Sequence, residues 1–181
     1  MTETFTHRIA TLDDLDALHR VMARSIAQLQ SDFLTPEQVA ASHKVMGLDT
    51  QLVRDGTYFM VESGGCVAGC GGWSYRATLY GGDDSIVARE PARLDPATDA
   101  AKVRAMYTDP DFTRRGIGAL ILSLCEDAAR AAGFARVELM GTAAGVPLYR
   151  AQGYEPAADL HHAVVDGVEV PLLRMEKRIA D

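Results

Sequence analysis

A short loop with two glycines joins a strand-like run to the strongest helix pattern in the chain. Its parts follow in this order: the run 102–108, Asp109-Pro110, the basic pair Arg114-Arg115, and the glycines Gly116 and Gly118. The glycines allow a tight backbone turn where the helix starts. The first N–H groups of a helix have no partners within it, and the helix dipole adds about half a positive charge there. The loop therefore predicts a binding site for an anionic group such as a phosphate.

The helix that follows this loop has one continuous apolar face. Its apolar residues recur three and four positions apart, as expected for a helix that packs against a core. They are Ile117, Leu120, Ile121, Leu124, Cys125 and Ala128. Gly133 follows at a position typical of a helix C-cap, so the pattern predicts a helix that begins at Gly116 and ends at Gly133.

Two other phosphate-binding motifs do not fit the loop. A dinucleotide fingerprint needs a small residue at position 121 and a strand that runs almost directly into the first glycine. The chain instead has Ile121, and seven residues separate the strand-like run from Gly116. Glu138 has the spacing of a ribose-binding acid but lies within a strand-like run. The chain also lacks the P-loop string Gly-x-x-x-x-Gly-Lys-Ser/Thr. Another phosphate ligand and a purely structural turn remain open.

Two blocks of sequence resemble a known family. The segment 102–118 is similar to the acetyl-CoA pyrophosphate loop of the GCN5-related N-acetyltransferases (GNAT). Pro147–Tyr154 is similar to the family's late motif, in which a short helix carries a tyrosine, here Tyr149, four residues before a glycine-aromatic pair. Together the blocks cover roughly residues 100–155. One position departs from the family pattern, since Thr113 stands where Arg or Gln is usual, and Arg114 and Arg115 are interpreted as its substitutes.

The resemblance implies a mixed α+β fold. Its central sheet would be mostly antiparallel, flanked by helices and splayed where acetyl-CoA enters. The backbone around Met106–Thr108 would hold the pantetheine arm and the acetyl carbonyl, and the loop would hold the pyrophosphate. The residues that the resemblance places around acetyl-CoA are Met106, Tyr107, Thr108, Thr113, Arg114, Arg115, Gly116, Ile117, Gly118 and Ala119.

The resemblance also implies the chemistry, which is transfer of acetyl from acetyl-CoA to a primary amine, most simply that of a small molecule. The amine would attack directly through a tetrahedral intermediate, and Tyr149 would protonate the leaving thiolate, a role that a phenol of pKa near 10 can fill. No residue is assigned as the base. Glu138, Asp109, His43 and the carboxylates of 76–100 are candidates, each expected at the solvated surface. A non-catalytic acyl-CoA-binding module is the alternative, and a nicotinamide oxidoreductase is a distant third.

Composition restricts the class of protein. A chain of 181 residues with 48% hydrophobic residues fits one domain, 1–181, with a sizeable core. A net charge of −7 disfavours nonspecific nucleic-acid binding. No signal-peptide pattern and no run of 18 apolar residues occur, so we expect a cytoplasmic protein without a membrane partner.

We expect Cys66, Cys70 and Cys125 to be buried thiols, and no metal site. A homodimer is common in the family and stays open.

Periodicity predicts the remaining elements. They are a strand near 5–9, a helix with a stripe from Leu15 to Leu29 that includes His19 as a packed core residue, a helix that starts at Thr35, a hairpin of 57–62 and 66–75, a strand at 136–140, a short helix at 146–151 and a hairpin of 154–165 and 168–177. Residues 76–100 predict a long excursion between strands. The acceptor pocket is expected between 25–46 and 75–100, with His43, Asp32, Tyr75 and Tyr80 as candidate lining residues.

Overall fold

The computed structural model describes residues 4–180, in which one open sheet is flanked by helices. The strands are β1 (Thr6–Ile9), β2 (Tyr58–Ser63), β3 (Cys66–Ser74), β4 (Ala101–Thr108), β5 (Arg136–Thr142), β6 (Glu155–Pro156), β7 (His161–Val165) and β8 (Val168–Arg178). The helices are α1 (Leu15–Leu29), α2 (Pro36–Ser42), α3 (Thr50–Arg54), α4 (Ile117–Ala131) and α5 (Val146–Ala151). The predicted α+β class is confirmed.

The sheet has the order β1-β2-β3-β4-β5-β8-β6, with β7 also paired to β8. Every described pair is antiparallel except β4 and β5. These two parallel strands pair only at Ala101 with Val137 and at Lys102 with Glu138. Beyond that point they separate, so the sheet is splayed in its middle as the resemblance implied.

Glycines in β3 allow α4 to lie directly on the sheet. A Cβ atom at Gly69 would lie 2.5 Å from Ile117 Cγ2, and one at Gly71 would lie 2.7 Å from Ile121 Cγ2. Real Cβ atoms do not approach so closely, and close approach between elements is a recurrent reason for glycine within a strand. The sequence predicts the glycine-rich β3 as one strand of a hairpin. Its glycines therefore also allow the start of α4 to pack directly against the sheet.

The opposite face of the sheet packs on α1. Leu18, Met22 and Ile26 are buried there with Tyr58 and Tyr107. His19 is exposed, so its prediction as a packed core residue is wrong. It is next in sequence to Leu18, and the roughly 100° rotation per residue of a helix carries it past the edge of the buried stripe.

Other boundaries differ from the predictions. The strand predicted over 154–165 is divided into β6 and β7, with 157–160 between them outside any strand. The helix α3 was not predicted; Asp49 caps it by accepting a hydrogen bond from the Gln51 N–H (3.0 Å). The excursion 76–100 lies between β3 and β4 as predicted. Its one described bridge joins Arg76 to Arg93. Within 4–180, no helix combines the length and hydropathy needed to cross a membrane.

Candidate active site

A β-bulge in β4 shapes the centre of the site. The register with β3 shifts between Cys70 and Gly72, and Ala105 has a φ of 51°. Tyr58, fully buried, donates its hydroxyl proton to the Ala105 carbonyl at 2.6 Å and so fixes the bulge. A bulge changes which way the following side chains point. Met106 accordingly packs towards α4, while Tyr107 packs towards α1.

The gap between β4 and β5 opens into a cavity of about 430 Å³. One edge of β4 lines it from Val103 to Thr108, where β4 has no paired β5 residue in the described register. The cavity is also lined by residues of the α1–α2 region and of the excursion, including Ser25, Leu29, Asp32, Phe33, Met46 and Tyr80. We call these six residues the acceptor half.

The loop between β4 and α4 is anchored to α1. Asp109 is 4% exposed, and its carboxylate accepts hydrogen bonds from the Asp111 N–H (2.9 Å) and from Arg24 Nη1 (2.8 Å). Arg24 also contacts Asp111 at 2.9 Å. The Thr113 hydroxyl donates to the Pro110 carbonyl at 3.2 Å. These contacts hold the basic loop in place before the helix begins.

The N-terminus of α4 presents free amide groups. No group among residues 4–180 accepts a hydrogen bond from the N–H of Ile117, Gly118 or Ala119, and Leu120 is the first that bonds back, to the Gly116 carbonyl (3.0 Å). Gly116 has a φ of 82°, and a Cβ there would have no described neighbour within 4 Å. Gly118 lines the cavity. A helix start with free N–H donors is suited to bind an anion.

Tyr149, on α5, reaches the same cavity. Its ring packs edge-to-face on Tyr154 with centroids 6.0 Å apart, and a Cβ at Gly145 would lie 2.8 Å from it. The residue is 9% exposed, and its hydroxyl has no hydrogen-bond partner within the described part of the chain. Burial raises the pKa of Tyr149 to about 12, so the phenol keeps its proton at neutral pH. The cavity is thus lined both by the first turn of α4, which is suited to an anion, and by a protonated phenol.

Comparison with known proteins agrees with this geometry. The sequence profile of the Acetyltransferase (GNAT) family matches residues 23–154. The chain belongs to the GNAT family. It is therefore an acyltransferase of a family that uses acetyl-CoA. No curated protein sequence matches the chain significantly.

Solved structures share the fold. A GCN5-related N-acetyltransferase from Rhodopseudomonas palustris is 16% identical with a TM-score of 0.68, and the match covers 98% of both chains. The ribosomal-protein-alanine N-acetyltransferase of Escherichia coli is 20% identical with a TM-score of 0.60, over 98% of this chain and 96% of that one. PaiA N-acetyltransferase from Thermoplasma acidophilum, solved with coenzyme A, is 15% identical with a TM-score of 0.58, over 97% and 99% of the two chains.

The residues that the GNAT resemblance assigned to acetyl-CoA fall into two groups. Those that line the cavity are Met106, Tyr107, Thr108, Thr113, Arg114 and Gly118, together with the catalytic candidate Tyr149. Arg115, Gly116, Ile117 and Ala119 lie in the same loop and first helical turn but outside the cavity lining. The Arg115 guanidinium lies 5.3 Å from the centroid of the Phe112 ring, and the Ile117 side chain belongs to the core. Arg114 is therefore the arginine of the pair that faces the cavity.

The site has the features needed to hold acetyl-CoA. The free amides at the start of α4 and Arg114 suit a diphosphate, and the unpaired edge of β4 offers backbone groups to an extended arm. A Cβ at Gly116 would meet no described atom within 4 Å, so the backbone beside those amides is open to a ligand. Among residues 4–180, no cluster of three or more His, Cys, Asp or Glu could hold a metal ion.

Cys70 and Cys125 are buried as predicted, but Cys66 is exposed next to the Gly64-Gly65 turn.

Two of the candidate bases, Glu138 and Asp109, do not lie at the solvated surface. Glu138 is 4% exposed and is paired with Lys102 and with Arg174 Nε (2.8 Å). Burial lowers the pKa of Lys102 to about 8, so the ammonium still predominates at neutral pH. Asp109 is held by Arg24. The predicted surface positions of Glu138 and Asp109 are therefore wrong, and both carboxylates serve as ion-pair partners. His43 is exposed, and neither it nor Tyr75 lines the cavity, whereas Asp32 and Tyr80 do.

Sequence reasoning missed the buried polar side chains of the cavity wall. Arg104 is 4% exposed and donates to Asp49 (3.0 Å) and to the Gly81 carbonyl (2.7 Å), which ties β4 to the excursion. Arg89 of the excursion also contacts Asp49, at 2.8 Å. The sequence signal that could have indicated a role for Arg104 was its alternation with apolar residues in β4. It was missed because a charged residue at such a position usually points to solvent.

Gln30, at the C-terminal end of α1, has a buried amide oxygen without a partner. Its backbone carbonyl accepts from Phe33 and Leu34, while the described part of the chain offers no donor to its side-chain Oε1. Burying such an oxygen costs about 1–3 kcal/mol. We expect Gln30→Met to raise the free energy of unfolding by about 1 kcal/mol, measured by urea denaturation.

Gln51→Met is the matched control. Gln51 donates to Asp55 at 2.9 Å, so its replacement removes a satisfied hydrogen bond. The control should lower the free energy of unfolding by about 1 kcal/mol. A loss of stability of the same size in Gln30→Met would show that the Gln30 oxygen is satisfied in the folded protein.

Proposed function

We propose that the protein transfers the acetyl group of acetyl-CoA to the primary amine of a small molecule. The observation that carries the proposal is that one cavity is lined by Arg114 and Gly118 of the loop and first turn of α4, by Tyr149 and by the acceptor half. A phosphate site alone would suit a binding module. A phosphate site, a protonated phenol and a second pocket in one cavity favour catalysis.

Each part of the chain has a distinct role in this proposal. Bound acetyl-CoA would supply an activated acyl group as a thioester. The start of α4 and Arg114 bind the diphosphate, and the bulged edge of β4 offers a backbone N–H to the acetyl carbonyl. A donor at such a position contributes about 3–4 kcal/mol to acyl transfer in other enzymes. Tyr149 delivers its proton to the leaving sulfur after direct attack by the amine.

The acceptor amine must also lose a proton. An alkylamine of pKa about 10.4 is neutral in only about one molecule in 2,500 at pH 7, a deficit of roughly 4.6 kcal/mol. Glu138 and Asp109 are engaged in ion pairs and do not line the cavity, so neither is the base in this proposal.

The walls of the acceptor half favour a small acceptor. Leu29, Phe33 and Met46 give it apolar surface, and Asp32 is the carboxylate among the residues that line the cavity. The excursion is held at one side of the cavity because Arg89 binds Asp49 and Arg104 binds the Gly81 carbonyl. An extended protein substrate would need a more open groove. A cytoplasmic location and a single domain over 1–181 stay predictions, and a homodimer stays open.

The test is release of CoA from acetyl-CoA with a panel of primary amines. Steady release that depends on an amine, with the acetylated amine identified by mass spectrometry, would support the proposal. Saturable binding of acetyl-CoA with no release above the rate without amine would favour the alternative, a non-catalytic acyl-CoA-binding module. Acetylation of protein lysines or N-termini without acetylation of free amines would refute the small-molecule part.

A further inference from the structure

Tyr80 and His161 form a hydrogen-bonded pair at the acceptor half. Tyr80 comes from the excursion and lines the cavity, and its hydroxyl lies 3.1 Å from His161 Nε2. The two rings also pack edge-to-face, with centroids 6.1 Å apart. The pair therefore links the cavity to a titratable side chain on β7.

The sheet places His161 between the cavity and solvent. Thr142, Leu172 and His161 are in register across β5, β8 and β7, and the first two line the cavity. His161 shares its face of β7 with Ala163 and Val165, which are buried against the α2 region. His161 itself is exposed. It can therefore exchange protons with water while it contacts a residue of the cavity wall.

The direction of this hydrogen bond follows from protonation. Burial raises the pKa of Tyr80 above its ordinary value, so its hydroxyl is protonated near neutral pH. The hydroxyl can then donate to Nε2 of a neutral imidazole that carries its proton on Nδ1. A tyrosine oxygen that donates still has lone pairs with which to accept a hydrogen bond. A substrate ammonium in the acceptor half is a suitable donor to that oxygen.

We propose that Tyr80 and His161 carry the proton of the acceptor amine to solvent. The step rests on the proposed acetyl transfer. One N–H bond of the ammonium breaks as its proton bonds to the Tyr80 oxygen, and the Tyr80 hydroxyl proton passes to His161 Nε2. The amine keeps the electron pair, and the imidazolium then returns one proton to water. Tyr80 touches the substrate, while His161 acts through Tyr80.

The test compares two acceptors of nearly the same size. Ethylamine is mostly protonated at pH 7, whereas trifluoroethylamine is mostly neutral, so only the first must lose a proton before it can attack. We expect His161→Gln and Tyr80→Phe each to lower kcat/KM for ethylamine by about 100-fold or more. The same variants should change kcat/KM for trifluoroethylamine only slightly, and the double variant should be no worse than either single one.

The adjacent histidine is the matched control. His162 lies next to His161 on β7, alternates to the other face and has Nδ1 3.4 Å from Glu169 at the surface. His162→Gln should leave both acceptors unaffected. Equal losses with both amines in His161→Gln would assign the pair to pocket shape and overturn the relay, as would no loss with either. If the wild type acetylates no amine, the proposed function itself fails, and the relay fails with it.

Discussion

Tyr149→Phe is expected to lower kcat by about 10²–10⁴-fold, the usual contribution of a positioned general acid, with little change in the KM for acetyl-CoA. The phenol occupies the cavity with no described hydrogen-bond partner, so its proton is available to a reacting group. Phenylalanine keeps the ring and its packing on Tyr154 but removes that proton. The measurement is steady-state kinetics at saturating amine.

The pH dependence gives a second readout of Tyr149. Burial raises its pKa to about 12, so the phenol stays protonated through the range in which an ordinary tyrosine, of pKa about 10, would ionise. Loss of the Tyr149 proton should therefore not reduce kcat between pH 9 and pH 10. A limb near pH 10 that disappears in Tyr149→Phe would contradict the buried position of the hydroxyl.

Tyr154→Phe is the control for Tyr149. The Tyr154 hydroxyl donates to Glu126 at 3.0 Å, away from the cavity lining, and Lys177 contacts the same carboxylate at 2.8 Å. Its loss should reduce stability by about 1–3 kcal/mol and leave kcat nearly unchanged. Equal kinetic losses in the two variants would remove Tyr149 from the proton transfer.

Gly116→Val is expected to weaken CoA binding by about 100-fold or more, equivalent to at least about 2.7 kcal/mol. The backbone at Gly116 has a φ of 82°, which a β-branched residue adopts only under strain. Gly116 directly precedes the free amides of Ile117, Gly118 and Ala119, so the new side chain would also crowd a diphosphate bound to them. Isothermal titration of CoA into the variant measures the loss.

Gly133→Val separates these two effects. Gly133 has a similar φ of 94° and lies beyond the other end of α4, where a Cβ would meet only Pro96 at 3.5 Å. Both variants should lose stability through backbone strain, but only Gly116→Val should lose CoA affinity. If Gly133→Val weakened binding equally, helix strain would explain the result and the phosphate loop would be assigned wrongly.

The sequence predicts the parts of this site that depend on local backbone chemistry. The run of free amides at α4 follows from Gly116, Gly118 and a helical stripe, all of which are local signals. The Gly133 cap and the turn between β7 and β8 are of the same kind, and both are confirmed.

The missed features depend on contacts between distant segments. Glu138 meets Lys102 because β4 and β5 pair for two positions before they separate, and no local pattern shows where that pairing ends. Tyr80 meets His161 across 81 positions of sequence. The bulge at Ala105 is fixed by Tyr58, 47 positions away. Periodicity predicts the strands but does not determine which polar side chains meet between them.

The most direct test of the account is a calorimetric comparison of CoA with pantetheine, which has the arm but not the nucleotide diphosphate. If the start of α4 binds the diphosphate, CoA should bind with a measurable heat and at least about 100-fold more tightly than pantetheine. Equal affinities, or no heat with CoA, would contradict the assignment of this loop.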